Sequence, residues 1–272
     1  MRTRGNLHTH STWCDGQSGM GDMAEAAVAL GWTFLGFSSH ARCRLCREFG
    51  VKETDMPAYL GEINALRKAY AGKLRIYAGL EIDYADPMCP EGLDYTIGSN
   101  HYAYVGEDNA CEVDNTEERL RWGIREYFGG DPLKMARGYY DLEVRYATEE
   151  RFDILAHFDL LTKFNGGNRI FDEDGKAYRD IALSALDAVA ETGVIMEVNT
   201  GAISRGYRRT PYPAPFLLKR MREKNVPVLL SSDAHRADWL ATDFDACEEL
   251  LRHAGYREVM ERTEEGFRPR AL

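Results

Sequence analysis

Seven short runs of β-type residues recur along the chain, and almost every one closes on a histidine or an acid. They read NLHTH (6–10), FLGFSSH (34–40), LRIYAGLEID (74–83), LDYTIGSNH (93–101), FDILAHF (152–158), VIMEVNT (194–200) and VPVLLSSDAH (226–235). Helix-type patterns separate them. Met20, Met23, Ala27 and Leu30 recur at near-helical spacing, with Asp22 and Glu25 placed for a capping box. Ala182, Ala185, Leu186 and Val189 mark a second helix; Leu217 with Met221, and Phe244 with Cys247 and Leu251, mark two more. Gly31, Gly72, Gly193 and Gly255 stand where helices should stop. Strands alternating with helices predict a parallel α/β sheet. With no internal repeat and no clear linker, we expect a closed barrel in one domain spanning 1–272. The least regular stretch, 102–131, is long and acidic and reads as a functional loop insertion with some helix of its own.

In a parallel barrel the C-terminal strand ends all open onto one face, where active sites lie. His8 and His10 end the first strand and His40 the second; Glu81 closes the third. His101 ends the fourth, His157 the fifth, and Asp233 with His235 the seventh. Six of the seven histidines therefore stand at strand ends, and only His253 lies elsewhere, on the last helix. Singly, each reads as easily as a satisfied core or rim residue. As a set, they point to a metal centre. With Asp15 they make six imidazoles and three carboxylates. A single catalytic zinc takes about three protein ligands plus water, so this set suits two or three divalent ions. Nitrogen and oxygen donors without thiolate fit zinc, manganese or iron. Ions ~3.5–4 Å apart serve in-line displacement at phosphorus. The sixth strand offers Asn199 and then Arg205, Arg208 and Arg209 in place of a histidine. Arginine forks match phosphate oxygens. Arg205 follows that strand end most closely and is assigned as the phosphate clamp. Lys163, Arg42 and Arg236 also follow donor positions.

The bulk properties narrow the partners. Lysine and arginine number 34 against 44 acids, a net charge of −10, with no long basic run. A duplex nucleic-acid partner calls for a basic stripe, so none is expected. A small phosphorylated substrate remains compatible, because bound cations reverse the field locally. MRTRGNLHTH has no apolar signal-peptide core, and no stretch approaches transmembrane length. We therefore expect a cytoplasmic protein with no membrane partner; oligomeric state is not legible. The six cysteines are scattered, and the lone Cys43/Cys46 pair has no second pair nearby, so all read as free thiols.

The stretches LHTHSTWCDG, SSH, GLEIDY, GSNH, LAHFDLLTKFN and SSDAH, in this order along the whole chain, resemble the motifs of the PHP (polymerase and histidinol phosphatase) superfamily. GSNHY before a long acidic loop, and EVNTGAISRGYRRTPYP, resemble its monofunctional histidinol-phosphatase branch. The resemblance implies a distorted (β/α)7 TIM-like barrel with a trinuclear centre at the C-terminal strand ends. It implies one ion on His8, His10, Glu81 and Asp233. Glu81 bridges to a second ion with His101 and His157, and Asp15, His40 and His235 hold a third. Some relatives carry histidine at position 15; aspartate also ligates.

The implied activity is metal-dependent hydrolysis of L-histidinol phosphate to L-histidinol and phosphate, in histidine biosynthesis. A metal-bridging hydroxide held by Glu81, Asp233 and His235 attacks in line while Arg205 grips the phosphate. Lys163 is next in line after Arg205 for the phosphate. The substrate's ammonium calls for an anion, and Glu112 and Asp114 are assigned to it from the acidic run that also holds Glu107, Asp108, Glu117 and Glu118. The alternatives are a PHP phosphoesterase for another small ester, such as a nucleotide or sugar phosphate, and a non-catalytic metal-binding module.

Overall fold

All seven forecast strands appear, in one parallel sheet. The computed structural model describes residues 5–45, 50–84, 90–106 and 109–272. Its strands are β1 (Gly5–Asn6), β2 (Phe34–Phe37), β3 (Arg75–Asp83), β4 (Tyr95–Ser99), β5 (Tyr102–Tyr104), β6 (Ala110–Glu112), β7 (Ile154–Leu155), β8 (Ile195–Asn199), β9 (Val228–Ser231), β10 (Glu258–Thr263) and β11 (Gly266–Ala271). The seven-stranded sheet runs β1-β2-β3-β4-β7-β8-β9. Thr9 bridges Ala234 in parallel register, and the His10 amide donates to the Ala234 carbonyl at 2.8 Å, so the last strand's extension meets the first. The result is a nearly closed α/β barrel.

The period of two along each strand builds the interior. On β3, Tyr77, Gly79, Glu81 and Asp83 share one face, while Ile76, Ala78, Leu80 and Ile82 pack outward with the helices. Leu7, Phe34, Tyr77, Tyr95, Ile97, Ile154, Ala156 and Leu229 form the inner apolar layer. Tyr95 fills its centre. A Cβ on Gly36 would lie 2.3 Å from the Tyr95 hydroxyl, and one on Gly79 would lie 2.4 Å from Cζ. The two glycines therefore make room for the ring. Above this layer the inward positions turn polar, and there the site begins.

Eight α-helices cover the barrel and its insertions: α1 (Met20–Ala29), α2 (Met56–Ala69), α3 (Glu117–Phe128), α4 (Pro132–Glu149), α5 (Lys176–Ala190), α6 (Gly201–Ser204), α7 (Pro215–Glu223) and α8 (Phe244–Ala254), counted over the described residues. The apolar positions expected on α5, α7 and α8 are buried. On α1, Met20, Met23 and Ala27 are buried, but Leu30 caps the helix and is 48 % exposed. The expected capping box is replaced by one contact: Asp22 accepts from the Gly19 amide at 3.2 Å, and glycine has no side chain to return a bond. The 102–131 stretch contains the β5–β6 hairpin and α3, whose N-cap Thr116 accepts from the Arg119 amide. The antiparallel β10–β11 hairpin packs Met260 and Phe267 against the inner apolar layer. Its buried Arg270 pairs with Glu261 and Glu248. No helix of the described residues is long and apolar enough to cross a membrane. Cys14, Cys111 and Cys247 are free thiols, and Cys43 is buried. Cys46, Cys89, Glu107 and Asp108 lie outside the described residues.

Candidate metal centre

Glu81 stands at the middle of the donor cluster because β3 is the longest barrel strand and carries its inward face two residues past Gly79. Its Oε2 lies 3.2 Å from His8 Nε2, 3.3 Å from His10 Nε2 and 2.9 Å from His40 Nδ1. Its Oε1 lies 3.1 Å from His157 Nε2 and 3.5 Å from His101 Nε2. Five imidazoles thus surround one buried carboxylate.

The other two acids flank this core. Asp233 Oδ1 lies 3.0 Å from His10 Nε2 and 3.7 Å from His8 Nε2. Asp233 sits at φ +47°, a left-handed conformation that short polar side chains tolerate and branched ones do not. Asp15 Oδ2 lies 3.1 Å from His235 Nε2, and its Oδ1 lies 3.7 Å from His10 and 3.8 Å from His40. Gly16 holds that acid in place: a Cβ there would meet the Ser11 backbone at 2.5 Å, while its amide donates to the Ser11 carbonyl at 3.1 Å.

All nine residues singled out in the sequence therefore meet at one end of the barrel. The donors form three overlapping groups: His8, His10 and Asp233; His10, Asp15, His40 and His235; and His40, Glu81 and His101. His40 thus reaches both Glu81 and Asp15, and the His157 ring approaches Glu81. His8 Nε2, His10 Nε2 and Glu81 Oε2 are buried and have no hydrogen-bond partner. Lone pairs converging at 3 Å without a donor between them are costly unless a cation occupies the space. The donors are nitrogen and oxygen; the Cys14 thiol sits behind His10, with Sγ 3.4 Å from Nδ1. The residues fit hard or borderline divalent ions such as zinc, manganese or iron.

The electrostatics match. Burial pushes the Glu81 and Asp233 carboxyls up, yet His40 and His8 beside the first, and Arg205 and His8 beside the second, hold both well below the ordinary range. Burial, with His235 and His40 nearby, drives His10 down to about 3, so its ring is a neutral donor. The cluster opens into a cavity of about 750 Å³ that also reaches Glu112, Asp114, Lys163, Arg205 and Tyr207. That volume suits a small organic ligand.

A family model described as a PHP domain matches residues 6–201. The chain belongs to the PHP family. A relative from Deinococcus radiodurans, named as a probable histidinol-phosphatase, is 32 % identical over 267 residues, covering 93 % of this chain and 94 % of its own. The histidinol-phosphatase of Bacillus subtilis is 23 % identical over 261 residues, covering 88 % and 96 %. In fold, the chain is similar to the histidinol phosphate phosphatase of Lactococcus lactis, solved with zinc, L-histidinol and phosphate (TM-score 0.75, 19 % identity, 98 % of this chain and 99 % of that one).

Around the PHP-family cluster stand polar residues that the sequence alone did not single out. Asp83 accepts from the His101 ring at 2.9 Å and from its amide at 3.3 Å. Glu197 is buried inside the barrel and contacts His8 and His157. Both lie two residues from a noted position, Glu81 or Asn199, on the same strand face; that spacing was the available signal. The expected substrate residues are more constrained than a free loop allows. Arg205 Nη2 donates to Asp233 Oδ2 at 2.5 Å, and Nη1 lies 3.0 Å from His235 Nδ1. A Cβ on Gly201 would lie 2.6 Å from Arg205 Nη2 and 2.9 Å from Asp233 Oδ2, so glycine lets this pair close. Lys163 Nζ donates to the Asp114 carbonyl at 2.6 Å and lies 3.6 Å from its carboxylate. Glu112 gives both oxygens to Arg119. Arg208 pairs with Glu173.

Proposed function

We propose that this protein is a histidinol-phosphatase, a metal-dependent phosphomonoesterase that converts L-histidinol phosphate to L-histidinol and phosphate. The observation that carries the reading is the full-length likeness to the Deinococcus relative, joined to a cluster in which eight of the nine donors fall into three groups and His157 Nε2 lies 3.1 Å from Glu81. His8, His10 and Asp233 would hold one ion with Glu81, which reaches toward His101 and His157 for a second; Asp15, His40 and His235 would hold a third. Such ions supply Lewis-acid stabilisation of phosphoryl oxygens and an activated water.

The chain's own side chains orient the ester. Arg205 and Lys163 line the cavity at its cationic side and grip phosphate oxygens. Burial opposes ionisation of Asp114, but Lys163, with His101 and His157 nearby, keeps its pKa low, so it faces the cavity as an anion. A ligand with a phosphate and an ammonium matches both halves of the Lys163–Asp114 pair. Glu112, at the end of β6 and paired with Arg119, also lines the cavity.

The test is a kcat/KM comparison of histidinol phosphate with p-nitrophenyl phosphate, nucleotide and sugar phosphates. Histidinol phosphate should lead by at least about 100-fold; another ester leading the panel overturns the substrate. Asp114→Asn should lower kcat/KM for histidinol phosphate tenfold or more and leave p-nitrophenyl phosphate nearly unchanged, since that ester lacks the amine.

A further inference from the structure

The strand that contributes no donor contributes the residue on which two donors rest. Glu197 lies mid-way along β8, 1 % exposed, on the inward face. Its Oε2 accepts from His8 Nδ1 at 2.9 Å and from Ser231 Oγ at 2.7 Å. Its Oε1 accepts from the His157 amide at 2.7 Å and from Asn199 Nδ2 at 2.7 Å. Four donors meet the roughly four lone-pair sites of a carboxylate, which has no hydrogen of its own to give.

Two consequences follow. In the neutral ring that ligates a cation, a carboxylate at 2.9 Å requires the hydrogen on His8 Nδ1, which leaves Nε2 bare toward Glu81 and Asp233. With the hydrogen on Nε2 instead, the ring would present a proton where its orphaned lone pair now points. The second consequence concerns His157. β7 is only two residues long and pairs through two positions with each neighbour, so its ladder barely extends to the donor. The bond from the His157 amide to Glu197 supplies the missing anchor. Ser231 stands two residues before Asp233 and ties that segment to the same carboxylate. Asp83, by comparison, supports His101 through both its ring and its amide.

We propose that Glu197 is a positioning residue for metal binding: it fixes the His8 tautomer and the placement of His157, coupling two parts of the donor cluster. This rests on the metal reading of the site given above. Partners that orient a ligating histidine typically govern metal affinity by 10- to 100-fold.

Glu197→Gln keeps the shape but turns one oxygen into a two-hydrogen donor, which must face either His8 with Ser231 or His157 with Asn199. His8 and Ser231 can reverse roles and the His157 amide cannot, so the variant should move the His8 hydrogen to Nε2. The measurement is chelator-competition affinity for zinc, with ¹⁵N NMR of histidine-labelled, zinc-loaded protein. The wild type should bind zinc and show His8 with its hydrogen on Nδ1 and zinc on Nε2. The variant should bind zinc 10- to 100-fold more weakly and lose the His8 Nδ1–H signal. A folded variant within threefold of wild type overturns the role of Glu197 and leaves the metal reading intact. A wild-type His8 bound through Nδ1 overturns it without any variant. Wild type that takes up no zinc overturns both.

Discussion

At the residue scale, the site's strength lies in pairs. Arg205 is tied to Asp233, so the proposed phosphate clamp and one acid of the donor cluster form one unit. Removing a charge-assisted fork costs on the order of 2–4 kcal/mol of transition-state binding. Arg205→Ala should therefore lower kcat/KM roughly 30- to 1000-fold at about 1.4 kcal/mol per tenfold, with metal content by elemental analysis preserved. A change below threefold removes Arg205 from the phosphate, and loss of metal reassigns it to holding Asp233. Glu143 on α4 makes a second residue-level case. It is buried, its Oε2 has no partner, and burial pushes its carboxyl up to about 8 from the ordinary 4.5. The folded chain keeps this proton up to about pH 8, whereas the unfolded chain releases it near 4.5. The folded state thus binds more protons across that window, and stability falls as pH rises, by up to about 1.4 kcal/mol per unit. Glu143→Gln carries no titrating group there. Its Tm should match wild type at pH 5 and exceed it by several degrees at pH 9. Parallel Tm curves for the two proteins would show that Glu143 does not titrate in this way.

At the element scale, the barrel strands divide labour along their length. The inward face of β3 passes from Tyr77 through Gly79 to Glu81, that is, from core to clearance to chemistry. Gly79→Ala forces a Cβ to 2.4 Å from the Tyr95 ring. Overpacking of this kind costs about 1–3 kcal/mol, which in a chain of this size is about 2–4 °C of Tm per kcal/mol. At Gly61, inside α2, an added Cβ would meet nothing within 4 Å. Gly61→Ala should instead stabilise by about 0.5–1 kcal/mol through helix propensity. Differential scanning calorimetry distinguishes the two; a Gly79→Ala protein as stable as wild type would show that Tyr95 has room to move. The α4 helix extends the same logic outward. Tyr139, Glu143 and Tyr146 recur at helical spacing, and the Tyr139 and Tyr146 hydroxyls donate to the Asn100 and Ile82 carbonyls, bracing the strand ends that lead to Glu81 and His101.

At the scale of the whole molecule, the cluster joins residues from both ends of the chain. His8 and Asp233 meet where the first and last barrel strands close, so cations held there would cross-link the barrel seam. Metal should therefore stabilise the fold as well as enable catalysis. A ligand at 1,000 times its Kd adds about 4 kcal/mol, equivalent to roughly 10 °C in a chain of this length. Chelation should lower Tm by that order and abolish activity, and zinc or manganese should restore both. Unchanged Tm after complete removal of metal, checked by elemental analysis, would show that the seam does not depend on it.

What the sequence determined by itself was periodic. The number of barrel strands, their order along the chain and the apolar faces of α5, α7 and α8 follow from residues spaced two or three to four apart, and such spacing is local. The gathering of His8, His40, Glu81, His101, His157 and Asp233 followed from the same source, because parallel strands place all their C-terminal ends on one face. Tertiary structure alone decided the partners. Glu197 reads in sequence as one acid in an apolar strand; its meaning comes from His8, 189 positions away. Likewise, Arg119 engages Glu112, Lys163 engages Asp114, and Asp233 engages Arg205. Arg270 found buried acids on two other elements through a hairpin that no barrel repeat announces. Periodicity specifies which face a side chain occupies. Which charge it meets there depends on contacts between distant segments, and these exist only once the barrel has closed.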